Sequence, residues 1–180
     1  EIWKIKLPFM VARRGLVWEP NDDFSKSRLF VPTSKGVYAI NAENGQILND
    51  FGNGGQIGNQ LSLITPIITK NTIIIALIKP AIEAYDKNTG ELIWSTSLLK
   101  KVNNGLFTGA VPWGGMSFDV LRKRIYVVTG NPRPELVGIK RPGSNDYSNS
   151  LISINSKNGE IEWAFQEVGH GLWDFDIASP

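Results

Sequence analysis

The stretch Asp86-Lys87-Asn88-Thr89-Gly90-Glu91-Leu92-Ile93-Trp94 recurs along the chain, and the recurrence decides the fold class. Related copies read Asn41-Ala42-Glu43-Asn44-Gly45-Gln46-Ile47-Leu48-Asn49 and Asn155-Ser156-Lys157-Asn158-Gly159-Glu160-Ile161-Glu162-Trp163, and Trp3 ends a fourth, partial copy. The glycine of each copy tolerates the positive φ that a tight hairpin turn requires. The first two intervals between copies are about 45 residues, close to one blade of a β-propeller, and the third is longer.

Apolar runs before and between these turns predict the strands. They occupy residues 28–32, 36–40, 72–77, 81–85, 124–129, 150–154 and 160–165. The run Ile73-Ile74-Ile75 is continuous rather than alternating, which is typical of a strand covered on both faces. The tryptophan after each turn is a large apolar side chain suited to packing between neighbouring sheets. No segment has a long helical period, so the sequence predicts an all-β protein.

A propeller blade buries its faces only against neighbouring blades, so a single blade is not stable. Three to four blades fit into 180 residues, whereas a closed propeller has four to eight. We therefore expect residues 1–180 to be one segment of a larger ring, cut at both ends, with an extended blade at 95–163. The remaining blades would then be its partners.

Composition excludes several classes of function. The net charge is only +2 and the basic residues form no long run, which argues against a nucleic-acid partner. The chain has no cysteine, so it cannot contain a disulfide, a thiolate metal site or a cysteine nucleophile. No apolar run has the length of a membrane span, and no signal peptide opens the chain.

The segment His170-Gly171-Leu172-Trp173-Asp174-Phe175-Asp176 is the richest candidate for chemistry. It follows the predicted strand at 160–165, and loops at strand ends commonly carry functional residues. In an extended segment, Asp174 and Asp176 would point to the same side. Two carboxylates on one side indicate a metal site or a base with a shifted pKa. A solvated acidic turn is the alternative.

The repeat resembles the tryptophan-docking repeat of the quinoprotein dehydrogenases, which are eight-bladed propellers that bind pyrroloquinoline quinone (PQQ) and usually calcium. Four further segments carry the resemblance. They are Arg14-Gly15-Leu16-Val17-Trp18, Pro112-Trp113-Gly114-Gly115-Met116-Ser117-Phe118-Asp119, Val128-Thr129-Gly130-Asn131-Pro132, and Trp163-Ala164-Phe165-Gln166 running into His170-Gly171-Leu172-Trp173-Asp174. The segment Asn49-Asp50-Phe51-Gly52-Asn53-Gly54-Gly55 and the Pro112–Ser117 run look most like the glucose (sugar and polyol) branch.

The resemblance implies a role for five residues. Trp113 would form the floor under the quinone rings, because a planar cofactor gains from stacking on an indole. Asn131 and Asp174 would bind the calcium ion, or another divalent or trivalent hard cation, and Asp174 would also be the catalytic base. Asp176 would be a further metal-facing oxygen or would support Asp174. Arg14 would bind the acidic groups of PQQ.

Other residues compete for these roles or depart from the family pattern. Arg13 could replace Arg14, and His170 suits support of the loop better than metal binding. Pro8 and Phe9 stand where the alcohol branch has adjacent cysteines, which leans away from the alcohol and methanol enzymes. The loop at 76–84, which carries cofactor contacts in the family, is shortened, and Gly171 stands where an aspartate is common.

The resemblance implies a periplasmic PQQ-dependent dehydrogenase, with membrane association as an alternative for the full-length protein. It would oxidise a sugar or alcohol by hydride transfer to PQQ, with Asp174 as general base. Its electrons would pass to a quinone pool or a cytochrome. By this interpretation the 180-residue segment on its own would be inactive. The alternative is a non-catalytic propeller of the same repeat family that acts as a protein-binding scaffold. A hydrolase using Asp174 and Asp176 is a weaker third possibility, because nothing in the sequence forms a second wall across a substrate.

Overall fold

The computed structural model describes residues 2–101, 107–134 and 136–177. These residues form fourteen strands. The strands are β1 (Val17–Glu19), β2 (Arg28–Thr33), β3 (Gly36–Asn41), β4 (Gln56–Ile57), β5 (Ile67–Ile68), β6 (Thr72–Leu77), β7 (Ala81–Asp86), β8 (Leu92–Ser97), β9 (Lys100–Lys101), β10 (Phe107–Thr108), β11 (Met116–Asp119), β12 (Arg124–Val128), β13 (Ser150–Asn155) and β14 (Ile161–Gln166).

Twelve of these strands form three four-stranded sheets. The strand orders are β1-β2-β3-β4, β5-β6-β7-β8 and β11-β12-β13-β14, and β9 pairs separately with β10. In each four-stranded sheet the order in space is the order along the chain, as in a propeller blade. The helical segments found in the described ranges are the short 3-10 helices Phe24–Lys26 and Gly138–Lys140. None of the helices described is long and apolar enough to cross a bilayer. The prediction of an all-β protein is confirmed.

The seven strands predicted from apolar runs are all present. They correspond to β2, β3, β6, β7, β12, β13 and β14, with ends shifted by at most one residue. The short first strands β1, β5 and β11 were not predicted. They have three, two and four residues, which is too few for alternation of apolar and polar residues to stand out.

The chain divides into two compact units. The first contains residues 1–77 and 83–94, and the second contains residues 78–82 and 95–180. Strands β7 and β8 each pass from one unit to the other.

The core of the first unit is built from β2, β3 and β6. Phe30, Val37, Ile73 and Ile75 are fully buried. Phe51, from the segment between β3 and β4, packs against the same cluster. All three isoleucines of the run 73–75 are inaccessible to solvent, as predicted for a strand covered on both faces.

The core of the second unit includes one face of its two central strands, β12 and β13. Ile125 pairs with Ile154 and Val127 pairs with Ile152, and all four side chains are fully buried. Burial of this kind contributes about 1.5–3 kcal/mol for each large aliphatic side chain. The central strands therefore provide a rigid base for the loops that leave them.

The three repeated turns share one hydrogen-bonding scheme. At its first position, Asn41, Asp86 or Asn155 accepts with a side-chain oxygen from a backbone N–H two residues later. The carbonyl oxygen of the same residue accepts from the N–H of Gly45, Gly90 or Gly159. Asn and Asp favour such turns because their side chains substitute for a backbone acceptor.

At two of the repeated turns, another part of the chain packs where a side chain on the glycine would lie. The Trp3 indole donates Nε1–H to the Ala42 carbonyl at 3.1 Å, and a Cβ added to Gly45 would lie 2.6 Å from Trp3 Cε3. In the copy Asp86–Trp94, backbone covers the glycine instead. A Cβ on Gly90 would lie 2.6 Å from the Gly52 nitrogen.

The later tryptophans differ in exposure. Trp94 is 8% exposed, whereas Trp163, on β14, is 41% exposed. The expectation that each tryptophan is covered by a neighbouring sheet therefore does not hold for Trp163 within the described part of the chain. Neighbouring Phe165 on the same strand is also exposed.

Replacing Gly45 with alanine should destabilise the first unit beyond the cost of positive φ alone. Gly45 has φ +77° and a blocked Cβ position, while Gly54 has φ +60° and open space around its Cβ position. Gly54→Ala should cost about 1–2 kcal/mol, the usual penalty of the left-handed region. Gly45→Ala should lower Tm more than Gly54→Ala does, and equal shifts in thermal melts would contradict docking of Trp3 on this glycine.

Replacing Asp86 with asparagine should reduce the sensitivity of stability to acid. The backbone N–H groups of Thr89 and then Asn88 lower the pKa of the Asp86 carboxyl. A carboxyl with a lowered folded-state pKa stabilises the fold above its unfolded-state pKa of about 3.9 and loses that contribution as pH falls through the lower value. Asparagine keeps the acceptor oxygen and does not titrate in this range.

The measurement is Tm for both proteins between pH 7 and pH 2. Asp86→Asn should be less stable than the wild-type protein above about pH 5, and the difference should shrink below about pH 4 because asparagine has no charge to lose. Identical acid profiles would show that the turn does not stabilise the ionised carboxylate.

Candidate functional site

Antiparallel pairing brings four loops to one end of the third sheet. Met116 begins β11 opposite Val127, near the end of β12, and Ser150 begins β13 opposite Gln166, which ends β14. The segment before β11, the segment after β12, the segment before β13 and the segment after β14 therefore leave the sheet at the same end. These segments carry the residues singled out in the sequence.

Asn131 lies at the centre of this end of the sheet and contacts both predicted carboxylates. Its backbone N–H donates to Asp176 Oδ1 at 2.6 Å. Its side-chain Nδ2 donates to Asp174 Oδ1 at 2.6 Å. Two residues that are 43 and 45 positions away in sequence thus bind one buried asparagine. Both carboxylates bind the same residue, as expected for two side chains on one side of an extended segment. Residues 170–177 do not, however, form a strand.

Trp113 is joined to the same group of residues through Asp176. Its Nε1–H donates to Asp176 Oδ1 at 3.2 Å, so one carboxylate oxygen accepts both the indole and the Asn131 backbone. Gly130 makes this approach possible, because a Cβ on Gly130 would overlap both Asp176 Oδ1 and Trp113 Nε1. The Thr-Gly-Asn motif of the sequence therefore has a steric reason for its glycine.

Asn149 is a site residue that the sequence interpretation missed. It directly precedes β13, is fully buried, and donates Nδ2–H to Asn131 Oδ1 at 3.0 Å and to the Phe175 carbonyl. The signal available in the sequence was the Tyr-Ser-Asn-Ser stretch at the start of a strand that pairs with β12 and β14. A polar run of this kind is also typical of an ordinary loop.

A buried arginine holds the two loops beside the site. Arg141 donates to the carbonyls of Pro134 (2.9 Å) and Gly171 and to Asn145 Oδ1. His170 Nδ1 lies 2.6 Å from the Gly143 carbonyl, and the His170 backbone N–H donates to the Ser144 carbonyl at 2.9 Å. These contacts agree with a supporting role for His170.

Arg14 lies in the first unit, on a segment without a long strand of its own. Its backbone forms a bridge with Ile64, and its carbonyl accepts from Thr65 Oγ1 at 2.9 Å. Arg14 also lines a cavity of about 630 Å³. The other lining residues are Met10, Val11, Ala12, Arg13, Leu61 and Leu63. Both arginines considered for the cofactor's acidic groups therefore line the same cavity.

The oxygen atoms around Asn131 are of the kinds that a hard cation binds. Within residues 2–101, 107–134 and 136–177 no three side chains from His, Cys, Asp and Glu are grouped as a metal site. A cation here would therefore also use carboxamide oxygens, which calcium accepts readily. Asn131 Oδ1 keeps a second lone pair beside its bond from Asn149. Asn149 Oδ1 is buried without a hydrogen-bond partner among the described residues. This surplus of acceptors fits a cation.

Residues 1–180 match the family model described as PQQ, the β-propeller domain of glucose, ethanol and alcohol dehydrogenases. The quinoprotein glucose dehydrogenase of Escherichia coli (strain K12) is 29% identical, with 83% of this chain and 23% of the relative covered. Quinoprotein glucose dehydrogenase A of Acinetobacter calcoaceticus is 31% identical, with 84% of this chain and 23% of the relative covered. The chain thus spans about a quarter of the length of these relatives.

Solved structures show the same fold. A europium-containing methanol dehydrogenase superposes with a TM-score of 0.73 at 20% identity, covering 92% of this chain and 34% of the neighbour. The quinohemoprotein alcohol dehydrogenase of Comamonas testosteroni superposes with a TM-score of 0.67 at 21% identity, covering 89% and 31%. With the family match over its whole length, the chain belongs to the quinoprotein dehydrogenase family and forms part of its β-propeller domain.

Proposed function

We propose that this chain forms part of a PQQ-dependent dehydrogenase that oxidises a hydroxyl group of a sugar or alcohol, with Asp174 as general base. The observation that carries the proposal is the pair of bonds from Asn131 to Asp174 and Asp176. Through Asp176 this pair also includes Trp113. Four of the five residues that the family resemblance selects, all except Arg14, thus form one connected group at one end of a sheet.

The environment of Asp174 suits a base. Its Oδ1 accepts a hydrogen bond from Asn131, while the residue as a whole is exposed. A bond from a neutral amide directs the carboxylate without supplying a proton, so the group can take the hydroxyl proton of a substrate. The exposed position leaves the carboxylate accessible to a substrate molecule.

The environment of Asp176 favours positioning over metal binding. Its Oδ1 already accepts from the Asn131 backbone and from the Trp113 indole. A carboxylate between these two donors holds the ring and the asparagine in a fixed relation. The indole would then serve as a stacking surface whose orientation is set before a planar ligand binds.

PQQ and a hard cation would be held by the residues named above. Asn131 Oδ1 and the Asp174 carboxylate would bind calcium or another hard cation, and Trp113 would stack on the quinone. The role of Arg14 at the acidic groups of PQQ stays a prediction from the resemblance. When bound, PQQ supplies the acceptor for the substrate's hydride, and the cation polarises its carbonyl group. The chain's own contribution is to orient Asp174, keep Trp113 in place and position the amide oxygen.

The rest of the proposal concerns the whole protein. The relatives include quinoprotein glucose dehydrogenases and methanol dehydrogenases, and the names of the latter include cytochrome c. We extend this to a sugar or alcohol substrate, an electron acceptor that is a quinone or a cytochrome, and a periplasmic location. The shortened loop between β6 and β7, Ile78-Lys79-Pro80, has no acidic residue, so calcium coordination would rest on Asn131, Asp174 and the other blades.

Asp174→Asn should abolish most turnover while PQQ stays bound. Loss of a general base typically costs about 10²–10⁴-fold in kcat. The measurement is dye-linked oxidation of glucose and of simple alcohols by the full-length protein loaded with PQQ and calcium, with cofactor content read from quinone absorbance. Asp22→Asn, a change of an exposed acid in another part of the chain, is the control and should keep full activity. Unchanged kcat in Asp174→Asn would remove Asp174 as the base.

Asp176→Asn should keep both PQQ and calcium bound, because asparagine retains the oxygen that accepts from Trp113 and Asn131. Asp176→Ala, which removes that oxygen, should weaken PQQ binding. Calcium affinity of the full-length protein, measured by competition with a chelator, separates the two roles of Asp176. A loss of calcium affinity in Asp176→Asn as large as in Asn131→Ala would instead make Asp176 a metal ligand.

A further inference from the structure

Asn149 occupies a position with unusual backbone and side-chain constraints. Its φ is +44°, its N–H donates to the Gly130 carbonyl at 2.8 Å, and its carbonyl accepts from the Glu167 N–H at 2.9 Å. The backbone at this point is therefore bonded both to the segment after β12 and to the segment after β14. The side chain is fully buried between them.

The hydrogen bonds of Asn149 have only one consistent polarity. The Phe175 carbonyl can only accept, so the Asn149 amide group must turn its Nδ2 toward Phe175. The same Nδ2 faces Asn131, which must then present its oxygen. Asn131 in turn presents its own Nδ2 to Asp174, whose ionised carboxylate can only accept.

We propose that Asn149 is a positioning residue that sets the orientation of the Asn131 carboxamide and, through it, of the Asp174 carboxylate. The orientation itself is a property of this chain. Its consequence for catalysis rests on the proposed function. A rotated Asn131 amide would place an oxygen against Asp174 and turn a nitrogen toward the position where a cation needs an oxygen.

Space filling alone does not explain an asparagine at this position. Asn149 Oδ1 is buried without a hydrogen-bond partner among the described residues, and a buried acceptor without a partner destabilises the fold. Glycine would satisfy the positive φ without that cost. What the amide adds over glycine is the pair of N–H groups that bind Phe175 and Asn131, beside an oxygen that has no hydrogen-bond partner among the described residues.

The first test compares Asn149→Asp with Asn149→Gly in the full-length protein loaded with PQQ and calcium. Aspartate keeps the size of asparagine and tolerates positive φ, but its oxygens cannot donate to Phe175 and Asn131. Residues that orient a metal or catalytic ligand typically contribute about 10–100-fold to affinity or activity. We expect kcat to fall by that order in Asn149→Asp, with a smaller fall in Asn149→Gly and little change in substrate KM. A larger fall in Asn149→Gly would indicate a packing role and overturn the proposal.

The second test needs no catalysis and separates this proposal from the proposed function. It is a double-mutant cycle on Tm for Asn149→Asp and Asp174→Asn in the full-length protein. With both changes, Asn131 can rotate, donate to residue 149 and accept from residue 174. The double variant should therefore lose less Tm than the sum of the single variants. Additive shifts would show that residues 149 and 174 are not coupled through Asn131.

Asn145→Gly combined with Asp174→Asn is the matched control. Asn145 is also a buried asparagine with positive φ in the same loop, but its side chain bonds to Arg141. These two changes should be additive. If Asn149→Asp does not fold, Asn149→Gly replaces it in the cycle. Without the bond from residue 149, Asn131 binds Asp174 less firmly, so Asp174→Asn should then lower Tm by less than it does alone. Coupling without any change in kcat would support the orientation role and contradict the proposed catalytic one.

Discussion

Backbone hydrogen bonds between antiparallel neighbours are the interaction on which both the fold and the candidate site depend. Because consecutive strands run in opposite directions, alternate loops emerge at the same end of each four-stranded sheet. In the third sheet this places the segments before β11 and β13 beside the segments after β12 and β14. Residues separated by 18 to 63 positions thereby come within hydrogen-bonding distance. The buried isoleucines and valines of β12 and β13 keep that end of the sheet in place.

A second constraint is the close approach that glycine permits. At the repeated turns, an indole covers Gly45 and backbone covers Gly90. Both approach so closely that a Cβ atom on the glycine would overlap them. At the site, Gly130 lets the Trp113 indole and the Asp176 carboxylate meet beside Asn131. The same physical device thus serves blade packing in one place and assembly of the site in another.

The site is assembled mainly from neutral amides and backbone groups around two carboxylates. Each amide has one donor end and one acceptor end, so a chain of amides has a direction. That direction runs from the Phe175 carbonyl through Asn149 and Asn131 to Asp174. A network of this kind is sensitive to single changes that conserve size but invert polarity. Asn-to-Asp substitutions are therefore more informative here than truncations to alanine.

The local pattern of residues was enough to predict seven strands, the three glycine-containing turns and the all-β class, because apolar runs and turn chemistry act over a few residues. The order of the family motifs along the chain likewise selected Trp113, Asn131, Asp174 and Asp176. Hydrogen bonds across distant segments were beyond such reasoning, since they depend on strand register and on which way a buried amide faces. That is why Asn149 was missed, and why the bonds of Asp176 to an indole and a backbone N–H became visible only after folding. For the same reason the sequence could not predict that the Gly52 backbone, rather than a tryptophan, packs on Gly90.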